Sequence, residues 1–221
     1  MKIEIRETMD GSQTLYLEEI DEHYHSTFGA IQESQHVFIR EGLERCFAKE
    51  ISLLEIGFGT GLNCYLTLLN CLKRDQNVSY YCVEKNPLPE ELWDQLNYGL
   101  PFQDSDAELF KLLHKAPWNC VVAINDQFSI YKIEGDVLQN DLIDLPMFDL
   151  VYYDAFSPDK QPELWEKHLF EKIFSKMNEN GILVTYCAKG QVRRLLQAVG
   201  FCVERVPGPP GKREMLRAVK K

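Results

Sequence analysis

Three carboxylates lie where the sequence predicts the ends of buried strands. Glu84 ends the segment YYCVE, Asp136 follows FSIYKIEG, and Asp154 ends FDLVYYD. Ligands of open α/β sheets bind beyond the carboxyl ends of the strands. A carboxylate in that position can accept hydrogen bonds from ribose hydroxyls or an amino group, or can orient an amine for reaction. The three side chains therefore predict a binding site for a ligand with hydroxyl and amino groups.

Each of these carboxylates also has an ordinary structural explanation. Glu84 would then be an exposed acid at a strand end, and Asp154 would cap a helix or stabilise a loop. Asp136 would cap a helix over residues 137–143. We favour a ligand site over these structural explanations because the three acids and the glycine-rich turn described next occur in order at the ends of successive predicted strands.

A glycine-rich turn follows the first predicted buried strand, in LLEIGFGTGLN (residues 53–63). Its spacing is GxGxG rather than GxGxxG, and the carboxylate of Glu55 would repel a pyrophosphate. The same carboxylate would suit a ligand that carries an ammonium and a sulfonium, as S-adenosyl-L-methionine (SAM) does. The alternative is a tight strand-to-helix turn without a ligand. The predicted SAM-binding residues are Glu55, Gly57, Phe58, Gly59, Gly61, Asn63, Glu84, Asp136, Val137 and Asp154.

Helical and strand patterns alternate along most of the chain. Residues 1–30 predict an irregular or hairpin-like start with a turn at Asp10–Gly11. The predicted strands are 51–56, 80–84, 120–124, 128–136, 148–154, 181–187, FCVERV and REMLRAV. The predicted helices are 35–47, 62–74, 162–177 (ended by Asn180–Gly181) and 190–200, with helical material from about 90 to 115.

Strands that alternate with helices predict an α/β protein with a mostly parallel, doubly wound sheet. The last two strands flank PGPPGK with no helix between them, so we expect them to form an antiparallel hairpin. A parallel sheet with a C-terminal antiparallel hairpin is the layout of the class I SAM-dependent methyltransferase fold, which is Rossmann-like. We expect residues 51–221 to form that domain and residues 1–50 to form an N-terminal extension whose helix packs on it.

Composition favours one well-packed domain, since the chain has 221 residues of which 45% are hydrophobic. The sequence contains no apolar run of about 18 residues, and MKIEIRETMDG has no apolar signal core, so neither a membrane span nor export is predicted. None of the seven cysteines forms a CxxC pair, and the five histidines show no metal-ligand spacing. We expect a cytoplasmic protein with reduced cysteines and no metal site.

Charge is distributed unevenly along the chain. The net charge is −10, which argues against indiscriminate binding to nucleic acid. Residues 185–221, however, contain nine Lys and Arg against two Glu, a net +7, so residues 1–184 carry −17. A basic end on an acidic body predicts a local phosphate-binding patch, and a solvated surface with uneven charge is the alternative.

Several motifs resemble the methyltransferase domain of the MnmC-type tRNA-modifying enzymes: LEIGFGTGLN, VEKNPL, GD (135–136), DAFSPDKQPELW and GKREML. FGAIQESQHVF (28–38) resembles the N-terminal motif of that family, and the resemblance extends over about residues 20–218. It implies that SAM methylates the aminomethyl group of a tRNA wobble uridine, giving 5-methylaminomethyl-2-thiouridine.

Bifunctional members of that family also carry an FAD-dependent oxidase domain. A chain of 221 residues leaves no room for it. The resemblance therefore implies a stand-alone methyltransferase. Such an enzyme would depend on a separate oxidase or another wobble-uridine modification enzyme for its aminomethyl precursor.

The resemblance makes Asp154 the candidate catalytic residue. An ammonium has no lone pair, so the protein must hold the neutral amine in line with the methyl group. A carboxylate beside the amine can orient it and accept its proton. Phe156 is a candidate for stacking the uracil, whereas Trp165 is expected to be a core anchor. The candidate substrate-binding residues are Tyr24, Ser26, Gln32, Phe156, Lys160, Arg193, Arg194, Lys212 and Arg213, and the cations of the basic end, with Lys189, are expected to face phosphates of the anticodon arm.

Other functions remain open at this point. A spermidine-synthase-like aminopropyltransferase shares the fold and the small-residue loop after Asp154, and a small-amine methyltransferase would need the same amine-binding carboxylate. The basic tail and the KREM ending suit a polyanionic acceptor better. An RNA-binding protein that has lost catalysis is disfavoured because Glu84, Asp136 and Asp154 are all present. A nucleotide-dependent dehydrogenase is disfavoured by Glu55 and by the glycine spacing.

Overall fold

The structure is a computed structural model, and it describes residues 2–99, 104–140 and 142–221. The strands are β1 (Ile3–Glu7), β2 (Gln13–Leu17), β3 (Glu22–His23), β4 (Glu50–Ile56), β5 (Asn77–Glu84), β6 (Val121–Asn125), β7 (Phe128–Glu134), β8 (Phe148–Tyr153), β9 (Met177–Thr185), β10 (Cys202–Pro207) and β11 (Glu214–Val219). The α-helices are α1 (Ala30–Ser34), α2 (Leu62–Arg74), α3 (Glu90–Trp93), α4 (Asp104–Lys115), α5 (Lys167–Ser175) and α6 (Gly190–Val199). The predicted helical material from 90 to 115 corresponds to α3 and α4, and residues 100–103 within it lie outside the described residues.

The central sheet contains eight strands in the order β10-β11-β9-β8-β4-β5-β7-β6. The five inner strands from β9 to β7 pair in parallel. At one edge β10 and β11 form an antiparallel hairpin, and β11 also pairs antiparallel with β9. At the other edge β6 pairs antiparallel with β7. The predicted class I layout, a parallel sheet with a C-terminal antiparallel hairpin, is confirmed.

Helices cover both faces of this sheet. Alternate residues of β4 divide between the faces: Leu53 packs in a core with α2 and residues 37–39, and Leu54 packs in a core with α5 and α6. Strands that are buried on both faces read as nearly continuous apolar runs, which is how ISLLEI and FDLVYY appear in the sequence. The doubly wound arrangement is therefore confirmed.

The helix α2 has the bounds that the sequence predicts. Residues 62–69 and Cys71 of this helix are buried, whereas residues 72–74 at its end are exposed. Gly61 precedes it in a left-handed conformation (φ 72°), and Asp75 follows it in the same conformation (φ 50°). Lys73 and Arg74 occupy its last turn, where cations stabilise the negative end of the helix dipole. The residues at both ends of α2 therefore favour a helix with the same bounds as the one that the core buries.

Residues 3–23 form a small antiparallel sheet of β1, β2 and β3. The predicted turn at Asp10–Gly11 connects β1 to β2, with Gly11 N donating to Thr8 O at 3.0 Å. Leu15 of β2 is fully buried in the same core as α2. The separate character of residues 1–50 as an extension stays a prediction.

The N-terminus of α1 is capped by this hairpin rather than by its own preceding residue. Gly29 stands before the helix and has no side chain to cap it. The Asp10 carboxylate accepts a hydrogen bond from Gln32 N at 3.0 Å, and the Ser12 hydroxyl accepts one from Ala30 N at 3.1 Å. Because a five-residue helix is marginal by itself, α1 depends on the hairpin for its place.

The helix predicted over residues 35–47 is wrong in both bounds. Helical structure begins at Ala30, continues as a π-helical stretch over Gln35–Arg40, and resumes as a 3-10 turn over Leu43–Arg45. The start was missed because the cap comes from the hairpin, outside the local sequence. The segment breaks at Gly42, where a Cβ atom would lie 2.4 Å from Phe38 O.

The helix predicted over residues 162–177 is interrupted. Pro162–Trp165 is a 3-10 turn, Glu166 is extended (φ −91°, ψ 154°), and α5 then runs only to Ser175. Asn180–Gly181 does not end this helix, because both residues lie inside β9. The pairing of β8 with β9 shifts register there, and Asn180 takes a positive φ of 65° that accommodates the irregularity.

Five of the seven cysteines are buried, and all seven are free thiols. Within the described parts of the chain, no helix has the length and apolar character that crossing a bilayer requires. The helix considered for residues 137–143 is not formed by the described residues of that segment, which lie in turns and irregular structure. Asp136 therefore does not cap a helix.

Candidate active site

A cavity of about 510 Å³ lies beyond the carboxyl ends of β4, β5, β7 and β8. These four strands are neighbours in the sheet, so the residues that follow them meet at one edge. Gly57, Glu84, Asp136 and Asp154 each line the cavity after one of these strands. The volume is that of a site for a ligand of drug-like size.

The glycine turn lines the cavity, and two of its positions leave little room for a Cβ atom. Gly57 has a φ of +87°, and a Cβ atom there would lie 3.0 Å from the carbonyl oxygen of Asp154. Gly59 has a φ of +52°, and a Cβ atom there would lie 3.1 Å from the ring of Tyr24. Both positions combine a left-handed backbone with a close neighbour, so the backbone itself is presented to a ligand.

Glu84 is held by the backbone of two turns. Its Oε2 accepts a hydrogen bond from Gly59 N at 3.0 Å, and its Oε1 accepts one from Asn86 N at 2.7 Å. Each carboxylate oxygen keeps a further lone pair. Glu84 can therefore fix the glycine turn and still accept hydroxyl groups of a ligand in the cavity.

Asp136 is fixed by the cation of the neighbouring strand end. Lys85 Nζ lies 2.9 Å from its Oδ2, and Leu138 N donates to its Oδ1 at 2.9 Å. The Lys85 ammonium is the main cause that lowers the pKa of Asp136 below its usual range. The next residue, Val137, is buried and lines the same part of the cavity. A carboxylate beside an apolar side chain suits an adenine ring with its amino group.

Asp154 belongs to a chain of hydrogen bonds that runs into the core. Asn63 Nδ2 donates to Asp154 Oδ2 at 2.7 Å and to Glu55 Oε1 at 2.9 Å. On the far side, the Tyr80 hydroxyl donates to Glu55 Oε2 at 2.7 Å. Glu55 and Asn63 thus lie behind the cavity wall. Glu55, predicted to face a cationic ligand directly, is fully buried instead and reaches the cavity through Asn63.

The pKa of Asp154 is raised from 3.8 to about 7; burial is the main cause, and the nearby Glu33 carboxylate acts in the same direction. The hydrogen bond from Asn63 and the charge of Lys212 oppose this shift. Burial also raises the pKa of Glu55 well above its usual range. A carboxyl group with a pKa near neutrality can exchange a proton with a bound amine.

Glu33 and Lys212 form an ion pair on the cavity wall that the sequence did not predict. Lys212 Nζ lies 2.6 Å from Glu33 Oε1, and Ser26 N donates to Glu33 Oε2 at 2.7 Å. The Lys212 ammonium also lies 4.1 Å from the ring centroid of Tyr186, whose hydroxyl donates to Ala155 O at 3.0 Å. Lys212 was a candidate for its charge alone, and no local signal connects Glu33 to a partner 179 residues away.

The aromatic candidates divide between cavity and core. Tyr24 and Phe156 both line the cavity, and their rings meet edge to face with centroids 5.1 Å apart. Trp165 is buried in the core, as expected, and its Nε1 donates to Phe156 O at 2.7 Å. Phe58 lines the cavity from the glycine turn. Trp165 thus supports the loop that carries Phe156.

The remaining candidates lie at different distances from the cavity. Ser26 and Lys160 line it. Gln32 does not, because it is exposed on α1 with its backbone N–H directed to Asp10. Gly61 immediately precedes α2 and does not line the cavity; it faces His114, since a Cβ atom at Gly61 would lie 2.7 Å from His114 Nε2. Of the candidate cations, Lys189, Arg193 and Arg194, and Arg213 in the loop between β10 and β11, do not line the cavity.

Acidic groups outnumber basic ones on the cavity wall. Three lysines line it, namely Lys85, Lys160 and Lys212. The carboxyl groups that line it are Glu22, Glu33, Glu84, Asp136, Asp154 and Glu163. This balance disfavours a pyrophosphate and favours a ligand that carries positive charge.

Comparison with known proteins gives a consistent result. Residues 118–221 match the family described as S-adenosyl-L-methionine-dependent methyltransferase. The tRNA 5-methylaminomethyl-2-thiouridine biosynthesis bifunctional protein MnmC of Pseudomonas syringae pv. syringae is 31% identical over 214 residues, which cover 88% of this chain and 31% of that protein. The chain thus spans about a third of the length of the curated relatives that it matches.

A solved structure agrees over the whole chain. The crystal structure of MnmC2 from Aquifex aeolicus superposes with a TM-score of 0.84 at 30% identity, covering 100% of this chain and 70% of that one. Streptomyces venezuelae DesVI superposes with a TM-score of 0.51 at 12% identity, covering 86% of this chain and 92% of that one. The second likeness concerns the fold alone.

Proposed function

Because the chain belongs to the MnmC family of S-adenosyl-L-methionine-dependent methyltransferases, we propose that it methylates the aminomethyl group of 5-aminomethyl-2-thiouridine at the wobble position of tRNA. The product is 5-methylaminomethyl-2-thiouridine, the modification in the names of its curated relatives. The observation that carries the proposal is Asp154: a carboxyl group with a pKa of about 7 lies beside the glycine turn, in a cavity with an acidic wall.

The residues of the cavity fit SAM. The side-chain-free turn at Gly57 and Gly59 leaves the backbone open to the methionine part of the molecule, and the acidic wall complements its positive charge. Glu84 would accept the ribose hydroxyls, and Asp136 with Val137 would hold the adenine. When bound, SAM supplies a methyl group on a sulfonium, which is an excellent leaving group.

Asp154 would move the proton that blocks the reaction. The acceptor arrives mostly as an ammonium, and the Asp154 carboxylate takes one of its protons, which frees the nitrogen lone pair. A carbon–nitrogen bond then forms as the carbon–sulfur bond breaks. The product is a secondary ammonium with S-adenosylhomocysteine, and Asp154 returns its proton to solvent. A pKa of about 7 leaves Asp154 about half ionised at neutral pH, so it is available as a base.

The rest of the cavity would position the base and exclude water. Tyr24 and Phe156 offer aromatic surface for the uracil, and Ser26 and Lys160 offer polar contacts at the wall. Among the cations proposed for tRNA phosphates, Lys189 is paired with Asp159 at 2.5 Å and Lys212 with Glu33. Arg194 and Arg213 are exposed and therefore carry most of the proposed phosphate contact. Arg193, which precedes Arg194 in sequence, is half-buried.

The proposed partner is the anticodon arm of tRNA, and the proposed compartment is the cytoplasm. A negative net charge of −10 would limit binding to unrelated nucleic acid, while the basic patch supplies the local attraction. The five buried thiols are compatible with a reducing compartment.

The test is methyl transfer from radiolabelled SAM to tRNA whose wobble uridine carries the aminomethyl group. We expect incorporation with the wild type, a loss of at least about 100-fold with Asp154→Asn, and near wild-type incorporation with the control Asp159→Asn, five residues along the same loop. SAM affinity of each variant is measured in parallel. Tight SAM binding with no incorporation by the wild type would remove the substrate proposal, and spermidine and small amines would then be tested as acceptors.

A further inference from the structure

Phe28 is exposed at the rim of the cavity. Its side chain is 47% exposed, and among the large hydrophobic side chains exposed in the described parts of the chain it alone lines the cavity. Tyr24 and Phe156, which line the same cavity, are both less exposed than Phe28. Phe28 is therefore the most solvent-exposed of the three rings. Nothing in the function proposed above uses it.

A glycine supports the ring from behind. Gly211 lies in the loop between β10 and β11, and a Cβ atom there would lie 2.3 Å from Phe28 Cδ2 and 2.6 Å from Cγ. Gly211 also has a φ of +82°, which other residues rarely adopt. The ring therefore rests directly on backbone, while its exposed surface remains available to a ligand.

The backbone around Phe28 is held before any ligand arrives. Phe28 N donates to the Ser26 hydroxyl at 3.2 Å, and Gly29 N donates to Ser26 O at 3.1 Å. One residue earlier, Thr27 O accepts a hydrogen bond from Met9 N at 2.9 Å. A platform that is already ordered loses little conformational entropy when a planar group stacks on it.

Cations follow the supporting glycine directly. Lys212 is engaged by Glu33 at 2.6 Å, whereas Arg213 is exposed. The exposed ring of Phe28 thus lies on Gly211, two residues before the exposed Arg213. Proteins bind single-stranded nucleic acid with such combinations, since an aromatic ring stacks on a base and a cation contacts a phosphate.

We propose that the Phe28 ring, supported by Gly211, is a stacking platform for the nucleobase next to the acceptor nucleotide. This inference rests on the proposed function, because it assumes an RNA acceptor. Tyr24, Phe156 and Asp154 line the same cavity, so the acceptor base that brings its aminomethyl group to Asp154 would occupy the space beside these two rings. A ring at the rim is then placed for the next base along the strand. The enzyme would thus read the acceptor as part of a strand rather than as an isolated nucleoside.

The test is a double-mutant cycle between Phe28→Ala and RNA that lacks the neighbouring base. The probe is an anticodon stem-loop with the aminomethyl group on its wobble uridine, prepared intact and with an abasic site on the 5′ or the 3′ side of that uridine. Its Kd is measured with S-adenosylhomocysteine present. We expect Phe28→Ala to weaken binding of the intact stem-loop roughly 5- to 150-fold, and to have little effect on one of the two abasic stem-loops.

Two further variants separate stacking from general damage. Phe47→Ala is the matched control, because Phe47 is 88% exposed and does not line the cavity, and it should leave the Kd unchanged. Gly211→Ala introduces the methyl group that collides with the ring, so it should weaken the intact stem-loop as Phe28→Ala does. Melting temperature and SAM affinity are measured for each variant.

The outcomes are distinct. If Phe28→Ala binds the intact stem-loop as the wild type does, there is no platform. If its penalty is equally large with both abasic stem-loops, the ring does not stack on a neighbouring base, and the inference is overturned. If the wild type shows the predicted coupling but transfers no methyl group to the same stem-loop, the platform stands and the proposed function fails.

Discussion

The side-chain amide of Asn63 donates a hydrogen bond to the carboxyl group of Asp154 over 2.7 Å. The same nitrogen donates to Glu55 over 2.9 Å, so one neutral group joins the half-buried Asp154 to the fully buried Glu55. An amide cannot neutralise a carboxylate, and burial raises the pKa of both acids. The proton affinity of Asp154 is therefore tuned from behind the cavity wall as well as from within the cavity.

Asn63→Ala should raise the pKa of Asp154 above about 7, because the lost hydrogen bond lowers that pKa in the wild type. A shift of roughly one unit is expected, which would reduce methyl transfer at neutral pH several-fold. The measurement is a carboxyl ¹³C NMR titration of the free protein, assigned with Asp154→Asn. Asn70→Ala is the control, since Asn70 lies on the same helix and its amide donates only to Leu66 O among the hydrogen bonds of the described residues. An unchanged midpoint in Asn63→Ala would contradict this role.

Glu33→Gln should lower the pKa of Asp154. The Glu33 carboxylate raises that pKa, and its removal also frees the positive charge of Lys212, which lowers it. Both effects act in one direction, and we expect a downward shift of roughly half a unit or more in the same NMR titration. Glu22→Gln is the matched control, because Glu22 lines the same cavity but is not a cause of the shift. Equal effects of the two variants would show that Glu33 has no special relation to Asp154.

Asp154→Asn should stabilise the free protein at pH 8 more than at pH 4. The folded-state pKa of about 7 lies above the unfolded value of 3.8, so the folded state binds the extra proton between these two pH values. The wild type therefore loses stability as the pH rises through this window, and the neutral asparagine does not. After allowance for solvent in the cavity, the difference at pH 8 should be roughly 1 to 3 kcal/mol.

This prediction is checked by urea unfolding of both proteins at pH 4, 6 and 8 without SAM. Asp159→Asn serves as the control, since Asp159 is exposed and should show no comparable trend. A stability difference between wild type and Asp154→Asn that stays constant with pH would mean that Asp154 titrates normally.

Arg194→Glu and Arg213→Glu should weaken tRNA binding while leaving SAM affinity unchanged. Both side chains are exposed in the basic end of the chain, and each lost phosphate contact should reduce the slope of log K against log salt by about one. Lys73→Glu is the control with the same charge change, because Lys73 is exposed in the last turn of α2 and does not line the cavity. A loss in Lys73→Glu as large as in the other two would indicate a general effect of net charge.

Much of the fold could be predicted because its signals are local. The bounds of α2 follow from a buried helical pattern between a left-handed glycine and a left-handed aspartate. The strand-end acids Glu84, Asp136 and Asp154 were found because parallel neighbouring strands necessarily bring their carboxyl ends to one edge.

The rest depends on contacts between distant segments. The start of α1 was missed because Asp10 and Ser12 cap it from another hairpin. Glu33 was missed because its partner Lys212 is 179 residues away, and Glu55 was assigned to the ligand because its burial depends on Tyr80 and Asn63. The interruption of the predicted helix at Glu166 was missed because no proline or glycine stands at that position.

The ion pair between Glu33 and Lys212 has a consequence for synthesis of the chain. A ribosome that adds about 5 to 20 residues per second makes Glu33 roughly 10 to 35 seconds before Lys212. During that time the N-terminal hairpin and α1 can form, but the lysine that completes the cavity wall does not yet exist. A nascent chain can therefore fold its N-terminal hairpin before its cavity wall is complete, and both Lys212 and the sheet strand β11 are added only after residues 1–211 have been translated.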